Sequence, residues 1–193
     1  MELQQVPYLA GGRELCVTGA CILTAADDLL GRAIRFFEGG RALCSHAAPV
    51  VRFPSDMMAA ERVTLIQALE HGLTATFASE FLEGFRGRVF LFTPAGLTPE
   101  IQARFRAWML TGLCSRVPYD YLALFRQMLG HTVQDAHAQF CSEAYGIGLE
   151  QAGLPRRAPY VNGLAPQPAD IPEWWPGRLV ELVEPFGSRK VAA

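Results

Sequence analysis

Long apolar runs, blocks of like charge and internal repeats are all missing from this chain of 193 residues. Its apolar stretches reach only about ten residues before an interruption, too short to cross about 30 Å of hydrocarbon, so no transmembrane segment is expected. No basic run of the kind that tracks phosphates occurs, and the formal charge is only −2. Nucleic acid is therefore not an expected partner. The opening "MELQQVPYLAGGREL" lacks the basic-then-apolar order of a signal peptide, which predicts a cytoplasmic protein. In such a compartment the five cysteines, Cys16, Cys21, Cys44, Cys114 and Cys141, are expected to stay thiols, and their odd number agrees. Cys44 and His46 lie two apart, but no second close Cys/His pair completes a four-ligand set. Neither a metal nor any other cofactor is expected.

What is present describes one ordinary globule, a single domain over residues 1–193. Half the residues are apolar and 19% are charged, the balance of a folded soluble protein. A chain of this length buries roughly 70% of its unfolded surface and needs no staples.

The first half of the chain reads mostly as strands. "ELCVTGACILT" (14–24) is rich in β-branched and small apolar residues, and "LCSHAAPVVRF" (43–53) follows it, with Pro49 suggesting an edge or a bulge. Between them "LLGRAIRFFEGG" (29–40) has helical spacing and ends on two glycines. "ERVTLIQALEHGLTATF" (61–77) reads as two short strands about a turn at "HG", "FASEFLEGF" (77–85) as a short helix, and "RVFLFT" (88–93) as a central strand.

Helical patterns then take over. Thr98 followed by Pro99 predicts a sharp helix start for 98–116. A second helix is expected over 118–130 and a third across "CSEAYGIGLEQAG" to Gly153, with Gly146 and Gly148 allowing close packing. Residues 154–177, rich in proline, read as a wrapping loop, and "GRLVELVEP" (177–185) as the last strand. The sum is α+β: an antiparallel sheet or small barrel packed against a helical layer.

The stretch "QFCSEAYGIGLEQAG" (139–153) raises the question of chemistry, because Cys141 stands near an expected helix start. A thiol becomes nucleophilic when an imidazolium or the positive end of a helix favours its thiolate. Imidazole is the natural base, since it also returns its proton to a leaving group. Four histidines are available. His46 sits on a strand and by period two shares a face with Ala48 and Val50, where a helix bearing the thiol has room to lie. His71 falls at a turn, His131 follows a helix-ending glycine, and His137 would point along the thiol's own helix. A third polar group usually fixes the imidazole, and Glu70, at the end of the next strand, is the candidate.

The order of the pieces carries a resemblance. "GRAIRFFEGGRALCSHAAPVVRF", "ALEHGLTA", "VPYDYLALF", "FCSEAYGIGLEQAG" and "APQPADIPE" follow one another over roughly residues 14–184. This arrangement resembles the circularly permuted papain-like cysteine hydrolases of the NlpC superfamily, in particular the YiiX-like group related to lecithin retinol acyltransferase. The resemblance implies a permuted papain-like fold with Cys141 as nucleophile, His46 as general base and acid, and Glu70 as orienting group. It further implies that Tyr119, Asp120 and Tyr121 line the cleft, Tyr119 as an oxyanion donor beside the backbone N–H of Cys141. The chain departs from the family pattern in two places: "GD" is absent at the first strand, and "SHAAPVV" stands where "SHVGI" is usual.

The expected activity is thus a cysteine hydrolase (amidase or peptidase type) that forms an acyl-enzyme on Cys141 and cleaves amide bonds in peptidoglycan-type peptides or N-acyl amides. An acyltransferase or lipase on ester lipids is the variant in the same class. The opposing reading is a non-catalytic module that keeps the fold for binding. In that case Cys141 and His46 are core residues, Glu70 is a surface carboxylate and the tyrosines only pack. Cys16, Cys21, Cys44 and Cys114 read as small hydrophobes, and Trp174 and Trp175 either cap the cleft or pack.

Overall fold

The computed structural model describes residues 3–26, 44–58, 62–69, 72–114, 136–157 and 168–184, without the side chains of 68, 69, 72, 136–141 and 143. Seven strands form one mostly antiparallel open sheet: β1 (Gln5–Pro7), β2 (Cys21–Ala26), β3 (His46–Arg52), β4 (Val63–Leu69), β5 (Gly72–Phe77), β6 (Gly87–Pro94) and β7 (Gly177–Val183). Their order across the sheet is β1-β7-β6-β2-β3-β4-β5, and only the short β1–β7 pair is parallel. The α+β class expected from the sequence is present, and the sheet is open rather than closed into a barrel.

Strand β6 explains the centre. Its unbroken apolar run is covered on both faces, so Val89 and Leu91 enter one core cluster while Phe90 and Phe92 enter the other. The cluster of Phe90 and Phe92 lies under two long helices, α3 (Pro99–Cys114) and α4 (Ala136–Ala152), which pack on each other and on the β3–β5 side of the sheet. The opposite face is covered by a turn over 8–12, the single-turn α1 (Arg13–Leu15) and the short α2 (Ala78–Leu82). Helical cover on one side only, as the sequence suggested, is thus corrected to long helices on one face and short turns on the other.

The helix ends follow local chemistry. Thr98 Oγ1 accepts from the Ile101 N–H at 3.3 Å, as expected of the N-cap. At the far end of α4, Gly153 adopts φ 95°, and the Leu154 N–H returns to the Leu149 carbonyl at 2.8 Å, satisfying carbonyls the helix leaves open. Gly148 lets α3 approach closely: a Cβ there would stand 3.0–3.2 Å from atoms of Phe105, Trp108 and Met109. Tyr145 is fully buried and donates its hydroxyl to the Gly19 carbonyl at 2.9 Å, pinning α4 to the start of β2. Trp175 is also fully buried and donates its indole N–H to the Leu154 carbonyl at 3.1 Å, so it packs rather than capping a cleft.

Three expectations change. Residues 14–20 are not strand, because α1 and a turn precede β2 at Cys21. The proline-rich stretch contains a 3-10 turn over Pro168–Asp170 and the short α5 (Ile171–Trp174). Cys114 is exposed at the end of α3 rather than packed. The helices expected over 29–40 and 118–130 lie outside the described residues.

Pro49 marks where the sheet opens. The Val50 N–H donates to Ala20 beside β2, while the Phe53 N–H donates to Arg62 beside β4. By alternation, position 49 would donate toward β4, and proline has no N–H to give. Accordingly β3 and β4 pair only over Val50–Arg52 and Val63–Leu65, whereas β2 follows β3 all the way to His46. The proline sits at neither a sheet edge nor a bulge but at the fork where β4 leaves β3.

Candidate functional site

His46 is the first residue of β3, beside that fork, and is half-buried. Its Nε2 lies 3.1 Å from Gln67 Oε1 on β4. The Gln67 amide in turn donates from Nε2 to Thr76 Oγ1 on β5 at 3.4 Å, and the Thr74 hydroxyl donates to the Gln67 carbonyl at 3.3 Å. A polar line therefore runs from β3 across the gap where its ladder with β4 has stopped, and on to β5, which stays paired with β4. With the Gln67 amide oxygen toward the ring, a protonated imidazole can donate to it from Nε2. The Phe81 ring, from α2, lies 6.1 Å from the imidazole centroid at a tilt of 37° and walls it on one side.

Gln67 belongs to none of the motifs above, yet its position in the strand carries a signal. It is the one polar side chain in phase with Val63 and Leu65, and it is 5% exposed. A buried amide at a core position needs partners, and an imidazole across a strand gap supplies one. Glu70, the expected orienting group, lies outside the described residues, as do Tyr119, Asp120 and Tyr121. His71 and His131 lie outside them too, while His137 is on α4.

Cys141 belongs to α4, which packs against both β3 and β4. Two expectations about it are corrected by the helix bounds. The helix begins at Ala136, so Cys141 stands more than a turn inside, beyond the reach of the terminal partial charge. Its N–H also belongs to the intrahelical ladder, because only the first four N–H groups of a helix lack partners. The oxyanion role implied for that N–H does not fit this position.

The face of the sheet matters equally. His46 shares the phase of Ala48 and Val50, which enter the cluster on the α2 side. Tyr145, Leu149 and Ala152 of α4 pack on the other side, so this helix does not lie across the face His46 shares with Ala48. Communication between the two elements would have to pass through the fork.

The other thiols divide clearly. Cys16 is fully buried, and burial pushes its pKa up to about 12, which keeps it protonated and inert. Cys21 and Cys44 are buried in the core beneath the long helices. Among the described residues no group of three or more His, Cys, Asp or Glu is placed to hold a metal ion, and no helix is long and apolar enough to cross a membrane. No protein-family model and no curated protein matches the chain.

Proposed function

We propose that the protein is a cysteine hydrolase of permuted papain-like architecture, with Cys141 as nucleophile and His46 as base and acid. The observation that carries the reading is the His46–Gln67 contact at the fork between β3 and β4, the two strands against which the thiol's helix packs from the other face. An amide oxygen on Nε2 orients the ring and stabilises its protonated form, the task of the third group in a thiol–imidazole enzyme. Gln67 takes that part among the described residues.

In the proposed reaction His46 Nδ1 takes the proton of Cys141, and the thiolate adds to the carbonyl carbon of an amide. The tetrahedral adduct collapses as the C–N bond breaks and the imidazolium gives its proton to the departing amine. Water then adds to the thioester while His46 accepts its proton. Collapse releases the carboxylic acid and returns the proton to sulfur. Tyr119 is the proposed side-chain donor to the oxyanion, with Asp120 and Tyr121 lining the cleft and Glu70 adding charge near the ring. Peptidoglycan-type peptides or N-acyl amides are the proposed substrates.

The test is pH-resolved alkylation of the whole chain with iodoacetamide, read residue by residue. Cys141 should label well below pH 8.5, the ordinary thiol value, and His46→Ala should abolish that low-pH labelling. Cys114, exposed on α3, is the internal control for an accessible thiol. Equal labelling of Cys141 with and without the imidazole would show that the two groups do not communicate across the fork, and the hydrolase reading would end there. A substrate panel of D-amino-acid peptides, N-acyl amides and lysophospholipids, with Cys141→Ala as blank, then separates amidase from ester lipase.

A further inference from the structure

On the sheet face opposite the long helices, the cross-strand pairs Leu91–Val180 and Thr93–Arg178 floor a recess of about 230 Å³. Glu14, Leu15 and Val17, at and just after α1, form its wall. The recess has a chemical gradient. Along the floor the pair Leu91–Val180 is hydrocarbon and the next pair on that face, Thr93–Arg178, brings a hydroxyl and a guanidinium, while Leu15 and Val17 add hydrocarbon from the wall.

The charges at the polar end do not cancel each other. Glu14 is taken by Arg52, whose guanidinium holds its carboxylate at 2.6 Å. Arg178 donates to the side-chain oxygen of Gln4, a neutral amide, and among the described residues no carboxylate pairs with it. One cationic group with several N–H donors therefore faces an apolar pocket. The volume falls below the roughly 300–1,000 Å³ of sites for drug-sized ligands, so the occupant is small.

We infer that this recess binds a short aliphatic carboxylate, its head paired with Arg178 and Thr93 and its chain laid on Leu91, Val180, Leu15 and Val17. Neither Cys141 nor His46 lines this recess, and binding there is independent of the proposed hydrolysis. The pairing geometry is what a guanidinium fork offers a carboxylate, and the exposed setting makes the charge contribution modest.

The experiment is titration of the isotope-labelled full chain with hexanoate, followed by backbone and Arg178 side-chain shifts. Hexanol and acetate run in parallel to separate tail from head. Hexanoate should saturate shifts at Leu91, Thr93, Val180 and Arg178, and Arg178→Gln should weaken it about three- to fivefold, the range of an exposed ion pair. Hexanol and acetate should each bind more weakly than hexanoate. Arg178 is exposed, so the variant should keep the wild-type spectrum elsewhere, which the same data verify. Equal binding of hexanol and hexanoate, an unchanged affinity in Arg178→Gln, or shifts that never localise to the recess would each overturn the site.

Discussion

Strand β6 is paired over Val89–Pro94 with β7 and over Gly87–Phe92 with β2, whereas β3 and β4 share only three residue pairs before they part. The first region is apolar on both faces and joined by a continuous ladder. The second holds a polar line, His46–Gln67–Thr76, at buried or half-buried depth. A continuous ladder satisfies every backbone group and leaves side chains free to be hydrocarbon. Where the ladder stops, side-chain polar groups meet across the gap, because a buried donor or acceptor left alone costs about 1–3 kcal/mol. The fork is therefore where polar side chains collect in this sheet, while β6 is packed in hydrocarbon on both faces.

Four measurements would break or sharpen that contrast. Tyr145→Ala, on the helix that covers the closed face, should cost about 3–5 kcal/mol in urea unfolding, the range for emptying a large aromatic site in a core. A loss below about 1 kcal/mol would show that the packed face is not where stability lies.

Alkaline pH probes the same closed region from the α1 side, where burial raises the Cys16 thiol and the Tyr8 phenol each to about 12. A raised value means the stabilisation is complete below the ordinary pKa and fades as pH climbs through the folded-state value. Stability should accordingly fall between pH 9 and 12 by a few kcal/mol. Cys16→Ala should flatten the fall, and an identical slope in that variant would remove the thiol from the explanation.

At the fork, Gln67→Ala removes the side-chain hydrogen bonds to His46 and Thr76 and should cost about 1–3 kcal/mol in stability. Turnover of any Cys141-dependent substrate should drop about 10²-fold, because the imidazole loses its orientation. A large stability loss with little change in turnover would make the fork merely structural.

The smallest effect is expected on the solvent-reaching pair between β6 and β7. There Arg88 meets Glu181 at 2.7 Å and holds that carboxyl below its usual pKa, with Gln5 also donating to it. A lowered carboxyl stabilises above its unfolded pKa and loses that contribution as pH falls through the folded value. Arg88 is about half exposed, so Glu181→Gln should cost under about 1 kcal/mol and the difference should shrink in salt.

Much of the fold was legible in the chain. The apolar run of β6, the Thr98–Pro99 start of α3 and the Gly153 stop of α4 were each written locally, in periodicity and capping chemistry that need no distant partner. The proline at 49 was visible as an interruption, but its meaning was not. Whether its missing N–H weakens an edge, a bulge or a fork depends on which neighbour it faces. Gln67 was likewise visible as an odd polar residue in an apolar strand, while its partner, twenty-one positions away, was not.

By itself the sequence determined the α+β class, the thiol and imidazole inventory and the type of most described strands and helices, since periodicity, caps and turn residues act over a few bonds. Only tertiary structure decided that β4 leaves β3 at Pro49, that Gln67 meets His46, and that Cys141 lies inside a helix rather than at its end. Those outcomes depend on which strands pair and in what register, and register is fixed by burial across the whole sheet rather than by any local stretch of chain.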